Sequence, residues 1–455
     1  MSDQANRLTR RAVLGAFSIV PAHVLGKSAP SNLVQVAQIG CGRIARSMEF
    51  PGLLRNSATA RIVAVCDLDT VRLADAKSMI EKNYAGKFGT SYTQVKTYGD
   101  YREMLQDSSI DAVAISTPDH WHAQPAIEAA LAGKDVFLQK PASLTIAEGR
   151  LMADTIVKTG RIFQQGSQQR SDPAFRLACE LILNGRIGKV LEVFVGLPTD
   201  PAGGNPSPMP VPSNLNYDAW IGATPVAPYC EDRVHPQSPD IKKRYERPGW
   251  LRLEQFGAGM ITGWGAHHID TAHLAMGLEH SGPVEIVADA SFPKEGLWDV
   301  HGSYHVRMKY PNGATMFISD KFENGVRFIG ESGWIWVTRG RYTSGQGRSQ
   351  TISSSDERWL KEGIKDGEVR LHVSPNNDHH LDWIESIKSR KSPVAPAEDG
   401  HRSCSACLLA HAAMKTGRTL KWDVKAERFI GDEKANKLLS RPERTPYGAA
   451  RVLAR

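Results

Sequence analysis

The chain has 455 residues, 41% of them apolar and 23% charged, with 40 Gly and 26 Pro. At roughly 150 residues per domain this is a soluble folded protein of two or three domains, which excludes a peptide, a lone binding module, a disulfide-stapled miniprotein and a disordered or collagenous chain. The formal charge of +7 sits at the ends: residues 1–30 net +3 and residues 401–455 net +7, so residues 31–400 net about −3, and no nucleic-acid partner is expected, because such a reader carries its basic stripe on the folded body.

Residues 1–30 read as an export address. Thr9-Arg10-Arg11-Ala12-Val13-Leu14 opens the apolar stretch from Ala12 to Leu25, a pattern that resembles a twin-arginine signal and implies the periplasm or cell envelope as the destination. Pro21 and His23 interrupt that short stretch, so no permanent membrane span is expected, and no Ala-x-Ala step marks a cleavage site. The six cysteines are too scattered for a disulfide framework, and Cys404 and Cys407, at i and i+3, are expected to pack on one helix face.

The first folded segment, residues 31–160, reads as repeated βαβ units. Leu33–Ile39 is an apolar run of strand length leading into Gly40-Cys41-Gly42-Arg43-Ile44-Ala45, a G-x-G-x-x-A fingerprint. Its first glycine permits the tight turn, the second lets backbone approach a pyrophosphate, and the small third residue lets helix and strand pack. A second strand, Arg61–Cys66, ends in Asp67, where a carboxylate accepts hydrogen bonds from both ribose hydroxyls and repels a 2′-phosphate, so NAD is favoured over NADP. Further strands are predicted at Ile110–Ser116, leading into Thr117-Pro118-Asp119-His120-Trp121-His122, and at Asp135–Gln139, ending at Lys140-Pro141. With helices at Gln124–Ala132 and Ile146–Lys158, these predict a doubly wound parallel sheet with its ligand across the carboxyl ends of the strands.

At this point the sequence resembles the Gfo/Idh/MocA oxidoreductases, named from glucose-fructose oxidoreductase and inositol dehydrogenase. The resemblance rests on Gly40 to Ala45, on Asp67, on Ser116-Thr117-Pro118 with His122, on Lys140-Pro141, and on Gly265-Ala266-His267-His268-Ile269-Asp270. It implies an N-terminal Rossmann domain and a C-terminal α+β domain whose open, mostly antiparallel sheet carries the substrate pocket and the interface of a homo-oligomer. It also implies that Gly40, Gly42, Arg43, Ile44, Asp67, Thr117, Pro118, His122, Gln139 and Lys140 hold the cofactor.

Residues 161–425 are expected to form that second domain. Segments at Val190–Gly196, Val284–Ser291, Gly302–Tyr310, Ala314–Asp320 and Gly325–Gly330 are β-rich and separated by Gly, Pro and Asn turns. Val326–Ile329 and Trp334–Val337 look half buried, as a one-sided sheet requires. A proline-rich loop from Pro198 to Pro212 is followed by an irregular stretch from Tyr217 to Trp250. Its Trp220, Tyr229, Arg244, Tyr245 and Trp250 suit the floor of a sugar pocket, with Tyr245 and Trp250 the substrate contacts expected. Helices are predicted at Asn376–Lys388 and, after Glu398-Asp399-Gly400, at His401–Lys415; the resemblance implies that they pack back against the cofactor domain, which places Asn377 or His380 near the pocket, with packing the expected role of both. Residues 426–455 are expected to be a basic extension, solvated or embracing a partner.

Taking hydride from a carbinol requires a base for the hydroxyl proton. The resemblance assigns substrate contact and proton transfer to Lys140 and general acid/base work to His267, and Asp270 lies one helical turn on, placed to share a face with that histidine. His268 and His273 are expected to be packing or surface residues, and a zinc site from His267 and Asp270 lacks an H-E-x-x-H signature. Two departures stand out. Gln139 replaces the Glu common before the Lys-Pro step, and Gly263 replaces the acid four positions before the histidine, so Lys140 and His267 are expected to work without a third member.

The reading is therefore an exported NAD-dependent oxidoreductase acting on a sugar, polyol or sugar derivative, with hydride taken and returned on one tightly held cofactor, since free nicotinamide is scarce outside the cytoplasm. The alternatives are a redox-neutral glycosidase-like enzyme that oxidises, eliminates, hydrates and reduces on bound NAD, and a non-catalytic sugar-binding relative.

Overall fold

The computed structural model describes residues 32–454 apart from 341, 344–346 and 349, so the twin-arginine segment lies outside the described residues. Six strands, β1 (Val34–Ile39), β2 (Ala60–Cys66), β3 (Lys96–Tyr98), β4 (Ala112–Ile115), β5 (Asp135–Leu138) and β6 (Phe163–Gln165), form a parallel sheet in the order β3-β2-β1-β4-β5-β6. Helices cover both faces, so the central strands bury nearly every residue, and β4 and β5 bury all of theirs. Local chemistry sets the helix ends. Asp69 caps helix Thr70–Phe88 through Val71 N and Arg72 N and Gly89 ends it at φ +68°, while Thr145 caps helix Ile146–Thr159 through Glu148 N. The short strands β3 and β6 carry no readable periodicity and escaped the sequence reading; β6 also takes the sheet past residue 160.

The second sheet has nine strands. They comprise β7 (Val190–Gly196), β8 (Glu285–Ala290), β9 (Tyr304–Lys309), β10 (Thr315–Ser319), β11 (Gly325–Gly330) and β12 (Gly333–Val337), followed, beyond a detached ribbon of β13 (Tyr342–Thr343) and β14 (Gly347–Arg348), by β15 (Ile352–Ser354), β16 (Leu420–Asp423) and β17 (Arg428–Phe429). Their order is β15-β12-β11-β7-β10-β9-β8-β16-β17, antiparallel except for the β7–β10 pair. Strict alternation along β9 turns Tyr304, Val306 and Met308 inward and leaves His305, Arg307 and Lys309 exposed. Helices Pro173–Leu183, Gly265–Met276 and Ala397–Thr416 share a core with the inward side chains, and that core is continuous with one face of the six-stranded sheet. Phe194 stacks on Phe317 at 5.2 Å, and both side chains are only partly buried.

Three expectations need correction. Helix Ala397–Thr416 already begins at Ala397, so Glu398-Asp399-Gly400 form its first turn, and both Cys404 and Cys407 are buried on it. The helix expected from Asn376 begins instead at His379, because Asn376 and Asn377 adopt left-handed φ of 55° and 53°. The basic tail does not float free but packs back on the body. Arg441 donates to Glu148 Oε1 at 2.8 and 3.0 Å and to His120 O at 3.0 Å, Gly448 N donates to Gln124 Oε1 at 2.7 Å, and Tyr447 meets Trp121 edge-on. Acidic groups on the body draw the tail's arginines down. No helix among the described residues is long and apolar enough to cross a membrane.

Candidate active site

The fingerprint turn is built by close backbone approach. Gly40 has φ +81°, and a Cβ there would lie 2.8 Å from Ser116 O. A Cβ at Gly42 would meet Arg72 Nη1 at 3.3 Å. Asp67 organises the neighbouring loops, accepting Cys41 N at 2.6 Å and Asp69 N at 2.8 Å; burial pushes its carboxyl up and the Arg72 charge opposes that. The cavity that opens there, about 290 Å³, is lined by Gly40, Gly42, Arg43, Ile44, Asp67, Thr117, Pro118, His122, Gln139 and Lys140, which gathers into one space every residue expected to hold the cofactor. Arg43 Nε is buried there without a hydrogen-bond partner among the described residues, a donor suited to a pyrophosphate oxygen.

The irregular stretch after β7 straps this cavity. Thr70 N donates to Asn214 O at 2.9 Å, Asn216 N to Leu68 O at 3.0 Å and Arg72 Nη2 to Arg244 O at 2.8 Å, while His235 Nε2 lies 3.1 Å from Asp69 Oδ2. Asn216, Trp220, His235 and Trp250 line the cavity from this side. Of these only Trp220 and Trp250 were singled out from the sequence, because the closure arises from backbone hydrogen bonds that leave no pattern. Tyr229 packs in a small core with Trp220 and Phe256. Arg244 is held within the strap by Gln237 and Ser238 and pairs with Asp69 at 3.6 Å, and the Tyr245 hydroxyl donates to Asp75 at 2.9 Å, so both fasten the strap to the cofactor domain, where substrate contact had been expected of Tyr245.

Lys140 follows β5, and its Nζ donates to Gly263 O at 2.7 Å. The loops after β4 and β5 are tied by His122, whose ring nitrogens lie 2.9 Å from Thr117 O and 2.6 Å from Pro141 O. The carboxylate missing at position 139 is supplied from elsewhere: Gln139 Nε2 donates to buried Glu49 Oε1 at 2.6 Å, and Ser116 Oγ donates to Glu49 Oε2 at 3.2 Å. Burial pushes the Lys140 amine down from its ordinary value, the Asp119 carboxylate opposing this and Arg339, Arg43 and Arg247 reinforcing it. Burial likewise pushes the Asp119 carboxyl up, with Lys140 opposing. Asp119 lines the same cavity, yet the sequence reading passed over it within its motif.

His267 sits in the first turn of helix Gly265–Met276 but is not among the residues lining the cavity. Its Nδ1 is buried without a hydrogen-bond partner among the described residues, and burial, then the Arg339 and Lys140 charges, hold the ring neutral. Asp270 does not turn toward it. Its two oxygens accept from Arg170 Nη2 and Nε at 2.8 Å each, and Arg170 Nη1 donates to Asp399 at 2.7 Å, all within the core. His268 and His273 are buried and bonded to Asn324 and Tyr310 respectively, and His380 stacks on Phe137. No group of three or more His, Cys, Asp or Glu among the described residues is placed to hold a metal.

Residues 34–167 match the oxidoreductase family with NAD-binding Rossmann fold, and residues 202–339 and 358–449 match its C-terminal alpha/beta domain. A myo-inositol 2-dehydrogenase of Thermotoga maritima is 24% identical over 408 residues, covering 88% of this chain and 100% of that protein. A glycosyl hydrolase family 109 protein of Shewanella sp. (strain ANA-3) is 36% identical over 141 residues, 30% of this chain and 29% of that one. With other curated relatives the matched stretch spans less than half of the relative, 48% of one and 26% of another. The solved structure of the WlbA dehydrogenase from Chromobactrium violaceum, in complex with NADH and UDP-GlcNAcA, has a TM-score of 0.61 at 19% identity, covering 86% of this chain and 96% of that one. With both halves matched in sequence, the chain belongs to the Gfo/Idh/MocA oxidoreductase family.

Proposed function

We propose that this protein is an NAD-dependent oxidoreductase acting on a CH–OH group of a sugar, polyol or sugar derivative, after export to the periplasm or cell envelope directed by residues 1–30. The observation that carries the reading is the position of Lys140. A half-buried amine, held below its ordinary value, stands in the same cavity as the fingerprint glycines, so proton removal and hydride removal are brought to one place. The cradle fits the cofactor: glycines at positions 40 and 42 leave backbone exposed where a Cβ would clash, and Arg43 offers an unspent donor. Asp67 favours NAD over NADP. When bound, the nicotinamide supplies the hydride acceptor.

The chain's own residues do the rest. The Gly263 carbonyl orients Lys140 Nζ, which takes the hydroxyl proton and returns it on reduction. His267, buried behind the cavity wall, is held neutral by burial and by the Arg339 and Lys140 charges. The strap hydrogen bonds at Asp69, Thr70 and Arg72 hold the irregular stretch against the cofactor domain beside the cavity, which supports a cofactor retained between turnovers. A homo-oligomer is proposed to form on the open face of the nine-stranded sheet, around Phe194 and Phe317.

A second reading is redox-neutral glycoside cleavage, in which the hydride returns to the sugar after the aglycone leaves. One observation favours it: the Asp119 carboxyl, pushed toward neutrality in the same cavity, is an acid able to protonate a departing oxygen. Incubation of the purified chain with NAD and a panel of inositols, aldoses, levoglucosan and nitrophenyl glycosides separates the two. Reduction of the NAD, whether the single bound equivalent or the added pool, supports the dehydrogenase, and nitrophenol release without net reduction supports the second reading; neither signal from nucleotide-loaded protein across the panel overturns both.

A further inference from the structure

We propose that Asp119 is the proton partner of Lys140, sharing across the cavity the proton that Lys140 takes from a substrate hydroxyl, and so replacing the acid that Gly263 lacks. The proposal rests on the reading of Lys140 as the base. Gly263 meets Lys140 Nζ only through its carbonyl, which orients the amine but accepts no proton at neutral pH. A half-buried base with no second acceptor must release its proton directly to solvent after each turnover.

The topology brings Asp119 to the same place. Strands β4 and β5 are neighbours, with Ile115 opposite Leu138, and Asp119 and Lys140 follow at their carboxyl ends. His122, lodged between Thr117 O and Pro141 O, locks the two loops together. Both side chains line one cavity. Asp119 Oδ2 lies against Gly257, where a Cβ would be at 3.4 Å, ordinary van der Waals contact.

Asp119 is the buried acid of the cavity that forms no ion pair among the described residues; of the other acids lining it, Asp100 is bound by Arg102 and Glu246 is exposed. Glu49 is bound by Gln139 and Ser116, Asp67 by two backbone amides, Asp200 by Met260 N at 2.6 Å, and Asp270 by Arg170. Among the described residues the Asp119 carboxylate takes part in no ion pair and Lys140 Nζ is directed to Gly263, so in this proposal the substrate hydroxyl or a water in the shared cavity carries the proton between them. Each group moderates the shift that burial imposes on the other, and the cations facing Lys140 are Arg339, Arg43 and Arg247, with neutral His267 behind. In the oxidative direction the C–H electron pair leaves as hydride to bound NAD, the hydroxyl proton passes to the Lys140 amine, and the ammonium passes a proton through the bridge to the Asp119 carboxylate; reduction runs the same transfers backward.

The test is the pH profile of Lys140 acetylation in the purified full chain, read by trace labelling and peptide mass spectrometry. In Asp119→Asn the half-labelling pH of Lys140 is expected to fall by about one unit or more, because the charge that favours the ammonium is gone, and Asp119→Glu is expected to restore it. Superimposable profiles in wild type and Asp119→Asn overturn the proposal. Should Asp119→Asn fail to fold, carboxyl NMR of aspartate-labelled Lys140→Met decides: the Asp119 titration is expected to move up, and an unmoved titration overturns the pairing. Nucleotide content measured on the same preparations keeps the two questions apart. A shifted profile on protein that binds no NAD leaves the pair standing and the oxidoreductase reading fallen; NAD bound with no shift does the reverse.

Discussion

Two buried acid–base clusters sit a short way apart in this molecule, and only one is closed. Around Arg170, a guanidinium is held by Asp270 in two hydrogen bonds of 2.8 Å and by Asp399 at 2.7 Å, so every charge has its partner. Around Lys140, among the described residues, the amine bonds to one carbonyl and the Asp119 carboxylate in the same cavity forms no ion pair. Both clusters are buried, so burial alone does not mark the reacting groups. The difference is completeness: a satisfied pair is a fastening, while charges left part-solvated beside a cavity keep chemistry to do.

The largest effect follows from breaking the closed cluster. Asp270→Ala leaves Arg170 buried with half its partners and is expected to cost about 3–5 kcal/mol of unfolding free energy in urea titration. A variant of unchanged stability but abolished turnover would return Asp270 to the chemistry. Lys140→Ala is expected to behave oppositely, lowering turnover on whichever panel substrate responds by ~10²–10⁴-fold while leaving the urea midpoint at or above wild type, since a half-buried amine is lost. Comparable losses of stability in both variants would erase the distinction.

A smaller effect comes with pH. His120, His235 and His379 are buried and held down, to about 3, about 4 and about 3. The unfolded chain binds their protons from near pH 6.5 downward while the folded chain does not, so stability present above that pH is lost as it falls toward 4. Each histidine is expected to cost about 1 kcal/mol one pH unit below its ordinary value, and thermal unfolding across that window checks it. The smallest change is Gly263→Asp. A Cβ there meets only the mobile end of Met260, at 2.9 Å, and the new carboxylate is expected to raise the half-labelling pH of Lys140, opposite in sign to Asp119→Asn.

How much of this was legible depended on whether the signal was local. Strands β7 and β11 were readable to the residue because short β-rich runs end at Gly196 and Gly330, and the cofactor residues converge because each belongs to a motif at a strand end. His267 and Asp270 were paired by helical spacing, but spacing cannot say that Arg170, from another helix turn, reaches Asp270 first. Nor does it reveal that Glu49 takes over from position 139. The strap and the returning tail are held by backbone amides and by arginines finding distant acids, which composition registers only as a charged end. Asp119 gains meaning only from an absence at Gly263, far along the chain.

The measurement that bears most directly on the central claim is to denature the purified full chain and identify released nucleotide by mass spectrometry, with NAD titration of any empty fraction. The account predicts NAD or NADH, carried through purification or taken up to about one per chain. A folded protein that is empty and also fails to bind added NAD contradicts it.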